Sequence, residues 1–248
     1  MAVVQDDREH DAARTERPSV ETVTFGRTLA DGEPADDGLT FPADSPTVAL
    51  LAGASSPLIS NPVLGEYGAA LVEAEDVDGA FMRAVAITPP GAAGPAEHYH
   101  PHYAESFEVV EGEFVFEVEG EPQTLGPGES VTVVAGTPHT FRNESDSYAT
   151  CVVEAQPAGR LADVIQLLYG LAHDEELPAS GRPSFLQAMV MADEMGDDTI
   201  FTSPPPAVQR VLAAVFAPLG RLVGYRAYYP AYAEDSFWEE RVEQLPAQ

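Results

Sequence analysis

Lysine is absent. The twelve cationic side chains of this 248-residue chain are all arginine, set against 41 Asp or Glu, for a formal net charge of −29. So few cations exclude the basic patches that nucleic acid and anionic membrane surfaces require. Cysteine is nearly absent as well. Cys151 stands alone, which excludes an intramolecular disulfide and a cysteine-built zinc site. It lies in the apolar run Thr150-Cys151-Val152-Val153 and reads as a buried strand thiol rather than a nucleophile. No run of 18 apolar residues occurs, so no membrane-spanning helix is expected. The opening MAVVQDDREHD has neither the basic nor the apolar region of a signal peptide. The expectation is a soluble, cytoplasmic protein.

The acid excess has two readings. One is a field that steers cationic ligands. The other is a surface kept hydrated in concentrated salt. The acids run through the whole chain rather than gathering in one patch, which favours the second reading and an extreme halophile as source. At about 1 M salt the Debye length is roughly 3 Å, so long-range steering is lost. Hydrophobic residues make up 44% of the chain, ordinary for a globular protein.

Three regions are expected: an N-terminal extension over 1–60, partly disordered from its DDREHD start; a β-rich body over 61–158; and a helical extension over 159–248 ending in a Tyr-rich tail. Residues 31–46 (DGEPADDGLTFPADSP) read as a loop, and 47–60 fit neither helix nor strand cleanly. From about 62, short β-type runs at 67–74, 80–88, 105–110, 113–119, 130–134, 138–143 and 148–155 alternate with Gly- and Pro-rich turns. Many short punctuated strands indicate a sandwich or barrel. Beyond 160 the period lengthens to 3.6, with Leu161, Val164, Ile165, Leu168 and Leu171 on one helical face. A second helix covers about 185–195. A third begins with Ser203 as N-cap and Pro204 at its first position, is kinked by Pro218, and ends at Gly224. Its stripe of Val208, Val211, Leu212, Val215, Phe216, Leu219, Leu222 and Val223 is expected to pack against a core. The tail tyrosines and Trp238 read as structural packing, with a subunit contact or a ligand mouth as the alternatives.

Of six histidines, four fall between 98 and 139. On a strand, positions i and i+2 share a face, so His98 and His100 aim two imidazoles at one point. Glu105 follows on the next strand and His139 is the natural third imidazole. Three neutral imidazoles and one carboxylate suit a divalent transition metal with open positions for a ligand.

These residues lie in two motifs that resemble those of the cupin superfamily. The first, G-x5-H-x-H-x3,4-E-x6-G, is matched from His98 through His100 and Glu105 to Gly112; its leading glycine departs, since three residues rather than five separate Gly94 from His98. The second, G-x5-P-x-G-x2-H-x3-N, is matched by Gly128, Gly136, His139 and Asn143, with Val134 in place of the proline. The resemblance covers about 62–155. It implies a mainly β protein, a jelly-roll or double-stranded β-helix barrel with the C-terminal helices packed on it. It also implies one divalent metal (Fe, Mn, Zn or Ni) on His98, His100, Glu105 and His139.

Around that centre, Phe107 shares parity with Glu105 and Phe141 with His139, placing both toward a substrate pocket. His102 reads as a rim residue or a plain surface one. Arg83 either points outward or, inside the barrel, needs an anionic partner such as a substrate carboxylate. Phe114, Phe116 and Val118 should face inward and Asn143 should secure a turn. Glu105 is the one inward carboxylate that can be named, so no general base is assigned. His10 and His173, the latter at a solvated helix end, are not ligand candidates. The implied function is a metal-dependent enzyme on a small molecule, with a dioxygenase-type oxidoreductase as the analogy the ligand set supports. The alternatives are a non-catalytic binding or sensing module and a metal-dependent isomerase or hydrolase. A homodimer is compatible.

Overall fold

A computed structural model describes residues 21–246; the DDREHD start and His10 lie outside them. The N-terminal segment holds β1 (Thr22–Phe25), β2 (Leu29–Ala30), β3 (Glu33–Pro34), β4 (Leu39–Pro42), α1 (Pro46–Ala52) and β5 (Ile59–Asn61). The body holds β6 (Glu66–Val72), β7 (Met82–Thr88), β8 (His98–Tyr99), β9 (Ala104–Glu111), β10 (Phe114–Val118), β11 (Glu121–Leu125), β12 (Ser130–Val133), β13 (His139–Arg142) and β14 (Ala149–Gln156). The C-terminal part supplies α2 (Leu161–His173), α3 (Phe185–Met195), β15 (Ile200–Phe201), α4 (Pro206–Leu222) and α5 (Asp235–Glu239).

Two antiparallel sheets face each other as a jelly-roll barrel. One runs β12-β9-β14-β7-β6-β5 and the other β11-β10-β13-β8-β15. Alternation along β9 shows how the sequence builds it: Glu105, Phe107 and Val109 are buried, while Glu108 is exposed. The barrel interior is filled from both sheets by Phe107, Val109, Phe114, Phe116, Val133, Cys151 and Val153. Cys151 is fully buried. Burial first, and Glu105 second, push its thiol up to about 12, so it is unreactive at neutral pH.

A second core covers the outer face of the six-stranded sheet. There Val85 and Ile87 of β7 meet Phe25 and Leu39 from the N-terminal segment, Leu167 and Leu171 of α2, Val190 of α3 and Trp238 of α5. Residues 31–46 are therefore not simply a loop. They contribute β3 and β4, and β4 pairs with β1 in register from Thr22↔Pro42 to Phe25↔Leu39. The undecided 47–60 segment yields α1 and β5. Helix α1 starts where Ser45 accepts a bond from the Val48 N–H and Pro46 occupies the first turn.

The helical extension departs from expectation in two ways. Helix α4 starts at Pro206, capped by Pro205 with ψ 141°, rather than at Pro204. A residue that precedes proline is pushed out of the α region, so in Pro204-Pro205-Pro206 only the last can begin a helix. Pro218 lies inside the helix, which continues to Leu222. Its apolar stripe is not packed against a core: Val211, Val215, Leu222 and Val223 are all more than half exposed, and the buried residues of α4 are Ala213, Ala217 and Gly220. Among the described residues no helix is long and apolar enough to cross a membrane.

His173 is not a solvated helix end. Its Nε2 lies 3.0 Å from Ser60 Oγ, and its ring packs edge-on against Trp238 at 5.8 Å. Burial first, and Arg241 second, hold its pKa down to about 4 from 6.5. Between those values the unfolded chain binds more protons than the folded one, so stability falls as pH drops from about 6.5 toward 4. The loss from this residue is on the order of 2–3 kcal/mol. Melting temperatures at pH 7.5 and 4.5 should therefore differ less for His173→Gln than for the wild type; equal differences would remove His173 as a cause.

Candidate metal centre

Strand register brings the four candidate residues together. On β8 and its continuation, His98 and His100 are separated by two positions and both are buried. Antiparallel pairing sets His139 of β13 directly opposite His98. Glu105 comes from the facing sheet, on β9, opposite Val133 of β12. The ligand atoms of His98, His100, Glu105 and His139 all lie within 4.8 Å of one another. The displaced glycine of the first motif has a structural task. Gly94 sits at φ +66°, and a Cβ there would strike the Phe141 carbonyl, so only glycine lets this loop close over β13.

Hydrogen bonding fixes the imidazole orientations. Each Nδ1 faces a backbone carbonyl: His98 on Ala96 at 2.9 Å, His100 on Asp198 at 3.2 Å and His139 on Thr137 at 3.0 Å. A carbonyl only accepts, so in the neutral rings every Nδ1 carries the proton and every Nε2 presents a lone pair. Those lone pairs converge on Glu105, whose Oε2 is 3.0 Å from His139 Nε2 and 3.2 Å from His100 Nε2. His100 Nε2 is buried without a hydrogen-bond donor. Four acceptors this close suit a cation between them. One proton satisfies one nitrogen; a divalent metal satisfies all four. The donor set therefore fits a divalent transition metal, whose identity it does not single out.

The electrostatics agree. Burial, reinforced by His139, holds His98 down to about 4, so it is neutral and available as a ligand at neutral pH. Burial alone would raise Glu105, but positive charge at the imidazoles of His100 and His139 outweighs burial and brings it down to about 2. Burial would lower His139, yet the bond to Glu105 outweighs it and raises the ring.

Two of the residues expected in a pocket lie outside it. Arg83 is exposed and bonds Glu154, directly opposite on β14, at 2.6 Å and 3.0 Å. It shares parity with Val85 and Ile87, whose face turns to the outer core, and lies where that cover ends. His102 is exposed beyond the bend at Pro101. Phe107 does face the site: its ring lies 6.2 Å from that of His139 and 5.7 Å from Phe141.

Other contributors were missed. Tyr103 stacks on His100 at 4.3 Å and 19°. Its hydroxyl donates to Asp198 Oδ2 at 3.2 Å, while Asp198 Oδ1 accepts from the Arg160 N–H at 3.0 Å. β15 pairs with β8, setting Phe201 opposite His98 with the rings 6.1 Å apart. The helical extension thus supplies both the carbonyl that orients His100 and an edge strand of the sheet carrying the histidines. The short β-type run Thr199-Ile200-Phe201 was the one signal for it. Asp198→Ala should weaken metal affinity about 10–100-fold, and Asp198→Asn, which keeps one carbonyl oxygen for the Arg160 N–H and can donate its amide to the Tyr103 hydroxyl, should restore part of it. An unchanged affinity in the alanine variant, measured by competition with a chromophoric chelator, would remove Asp198 from the site.

A metal-capable cluster of three histidines and one glutamate inside a small jelly-roll barrel defines a class. Residues 84–154 match the family model described as "Cupin domain". The match takes in His98, His100, Glu105 and His139, and through this domain the chain is similar to the cupin superfamily. Among curated proteins it is 27% identical over 170 residues to the "Probable oxidoreductase yanE" of Aspergillus niger, covering 60% of this chain and 63% of that protein. It is 29% identical over 169 residues to the "Epoxidase atD" of Aspergillus terreus, covering 62% of this chain and 51% of that protein. The match thus spans less than two thirds of either relative. Among solved structures, an RmlC-like cupin from Shewanella frigidimarina is 22% identical, covering 42% of this chain and 86% of that one, with a TM-score of 0.36.

Proposed function

We propose that His98, His100, Glu105 and His139 hold one divalent transition metal and that the protein is a metal-dependent enzyme acting on a small molecule, of the dioxygenase-type oxidoreductase class. The observation that carries the reading is the convergence of three oriented Nε2 lone pairs on one buried carboxylate. Four protein ligands leave one or two positions of an octahedral ion for a small molecule. An iron ion there would supply redox chemistry with dioxygen, and zinc, manganese or nickel would polarise a carbonyl or lower a water pKa. The chain's own part is to orient the imidazoles through their Nδ1 protons, keep water from the apolar interior around Phe107, and keep His98 neutral. The names of the two fungal relatives, an oxidoreductase and an epoxidase, lean the same way.

The test has two stages. Protein purified in molar salt should contain close to one equivalent of transition metal by elemental analysis, and sub-stoichiometric metal after reloading with each candidate ion would overturn the metal. The iron form is then followed for oxygen uptake with small aromatics, diketones and thiols. Uptake with one class supports the oxidoreductase; full metal occupancy without any uptake would overturn the dioxygenase assignment and leave the metal site standing.

A further inference from the structure

Helix α4 buries its small residues and displays its large ones. Ala213, Ala217 and Gly220 pack toward α3, where a Cβ on Gly220 would meet Val190 Cγ2 at 2.6 Å and the Leu186 carbonyl oxygen at 3.0 Å. On the opposite side Val208, Leu212, Val215, Leu219 and Leu222 recur at alternating spacings of four and three, the heptad seam of a helix made to lie along another helix. Val211, Phe216 and Val223 flank it. Exposure is 45% at Val208, 63% at Val211, 55% at Val215, 49% at Leu219, 82% at Leu222 and 66% at Val223. Phe185, 52% exposed on α3, meets Phe216 edge-on at 5.1 Å and widens the patch. Monomers rarely expose contiguous apolar patches larger than a few hundred Å², and larger ones mark interaction sites.

Charge narrows the occupant. Between Asp198 and Glu234 lie 35 residues without one Asp or Glu, the longest such stretch in a chain that has 41 acids. At the average density about six would fall there. At −29, two copies repel wherever acidic surfaces face each other; α4 adds no carboxylate of its own, and Asp193 and Glu194 of α3 beside it are paired with Arg221. The same net charge disfavours nucleic acid and anionic membranes. A heptad seam needs a second helix of the same period, and α4 of another copy has it. A two-fold axis sets one surface against itself.

We propose that α4 is a dimerisation helix: two copies of the chain pack their α4 seams antiparallel about a two-fold axis, burying Val208, Leu212, Val215, Leu219 and Leu222 of each.

The full chain is to be examined in molar potassium chloride by sedimentation equilibrium over a concentration series. The wild type should run at twice its 26.4 kDa mass. The double variant Val215→Glu, Leu219→Glu should dissociate at concentrations on the order of 100-fold higher or more, since each dimer would bury four carboxylates in an apolar seam. Its circular dichroism and metal content should match the wild type, because both side chains already stand half in solvent. As a second measure, Val215 is the midpoint of the seam and the native Cys151 is buried. Val215→Cys should give an intermolecular disulfide on mild oxidation, and Arg210→Cys, on the far side of the helix, should not. A monomeric wild type at 100 μM, a charged variant that dimerises as tightly, or equal cross-linking at both positions would each overturn the proposal. A monomer that co-sediments with phosphatidylcholine vesicles would overturn it in favour of a membrane surface.

Discussion

His139→Ala is expected to abolish tight divalent-metal binding while the barrel remains folded. Residues that merely orient a ligand cost about 10–100-fold in affinity, so removing the ligand itself should cost on the order of 1000-fold or more, about 4 kcal/mol. The fold should survive because β13 is held through its backbone, paired with β10 from Val115↔Arg142 to Val118↔His139 and with β8 at His98. The truncation also removes one of four crowded acceptors, so the metal-free variant loses a source of repulsion while it gains a cavity beside Phe107. Elemental analysis paired with a thermal melt separates the cases. Retained stoichiometric metal would place the ion elsewhere, and loss of the cooperative melt would make the site a structural one.

Asn143→Ala should be the most destabilising single polar substitution at the end of β13. Asn143 is fully buried. Its Nδ2 donates to the carbonyls of Thr88, Pro89 and Ser147 at 3.1, 3.0 and 2.8 Å, and its Oδ1 accepts from the Ser145 N–H and hydroxyl at 2.9 and 2.6 Å. One side chain thus ties the turn after β13 to the end of β7. Alanine leaves several buried groups unpaired at about 1–3 kcal/mol each, for a total of roughly 3–5 kcal/mol after local relaxation. For a domain of this size that is a fall of roughly 10 °C in melting temperature. Denaturation in urea at fixed salt and metal measures it, and a loss below 1 kcal/mol would show that water replaces the amide.

The barrel and its four converging side chains were legible because both depend on local rules. Period-2 alternation and Gly/Pro turns mark strands, and i, i+2 spacing places His98 and His100 on one face. Asn143 was read as securing a turn, which is its role. The errors cluster where a residue's neighbour is distant in sequence. Arg83 could not be assigned a face because β7 is covered on both sides: Met82, Val85 and Ile87 are all buried, so alternation vanishes. Asp198 orients His100 across a gap of 98 positions that no local pattern spans. The stripe on α4 was visible, but its direction was not. Hydrophobic periodicity counts large side chains and is silent about Ala213, Ala217 and Gly220, whose smallness lets α3 approach.

The carbonyl of Asp198 has a consequence for biogenesis. At about 5–20 residues per second, the ribosome delivers both motif histidines, Glu105 and His139 well before Asp198, which trails His100 by roughly 5–20 s. During that interval the nascent barrel can present ligands whose second imidazole is not yet oriented. Metal captured then meets a looser site, open to whichever ion is most abundant. Metal captured after β15 docks meets the finished one. Were a metal bound, capture before and after β15 docks would meet different sites, and loading purified apoprotein would sample the second alone.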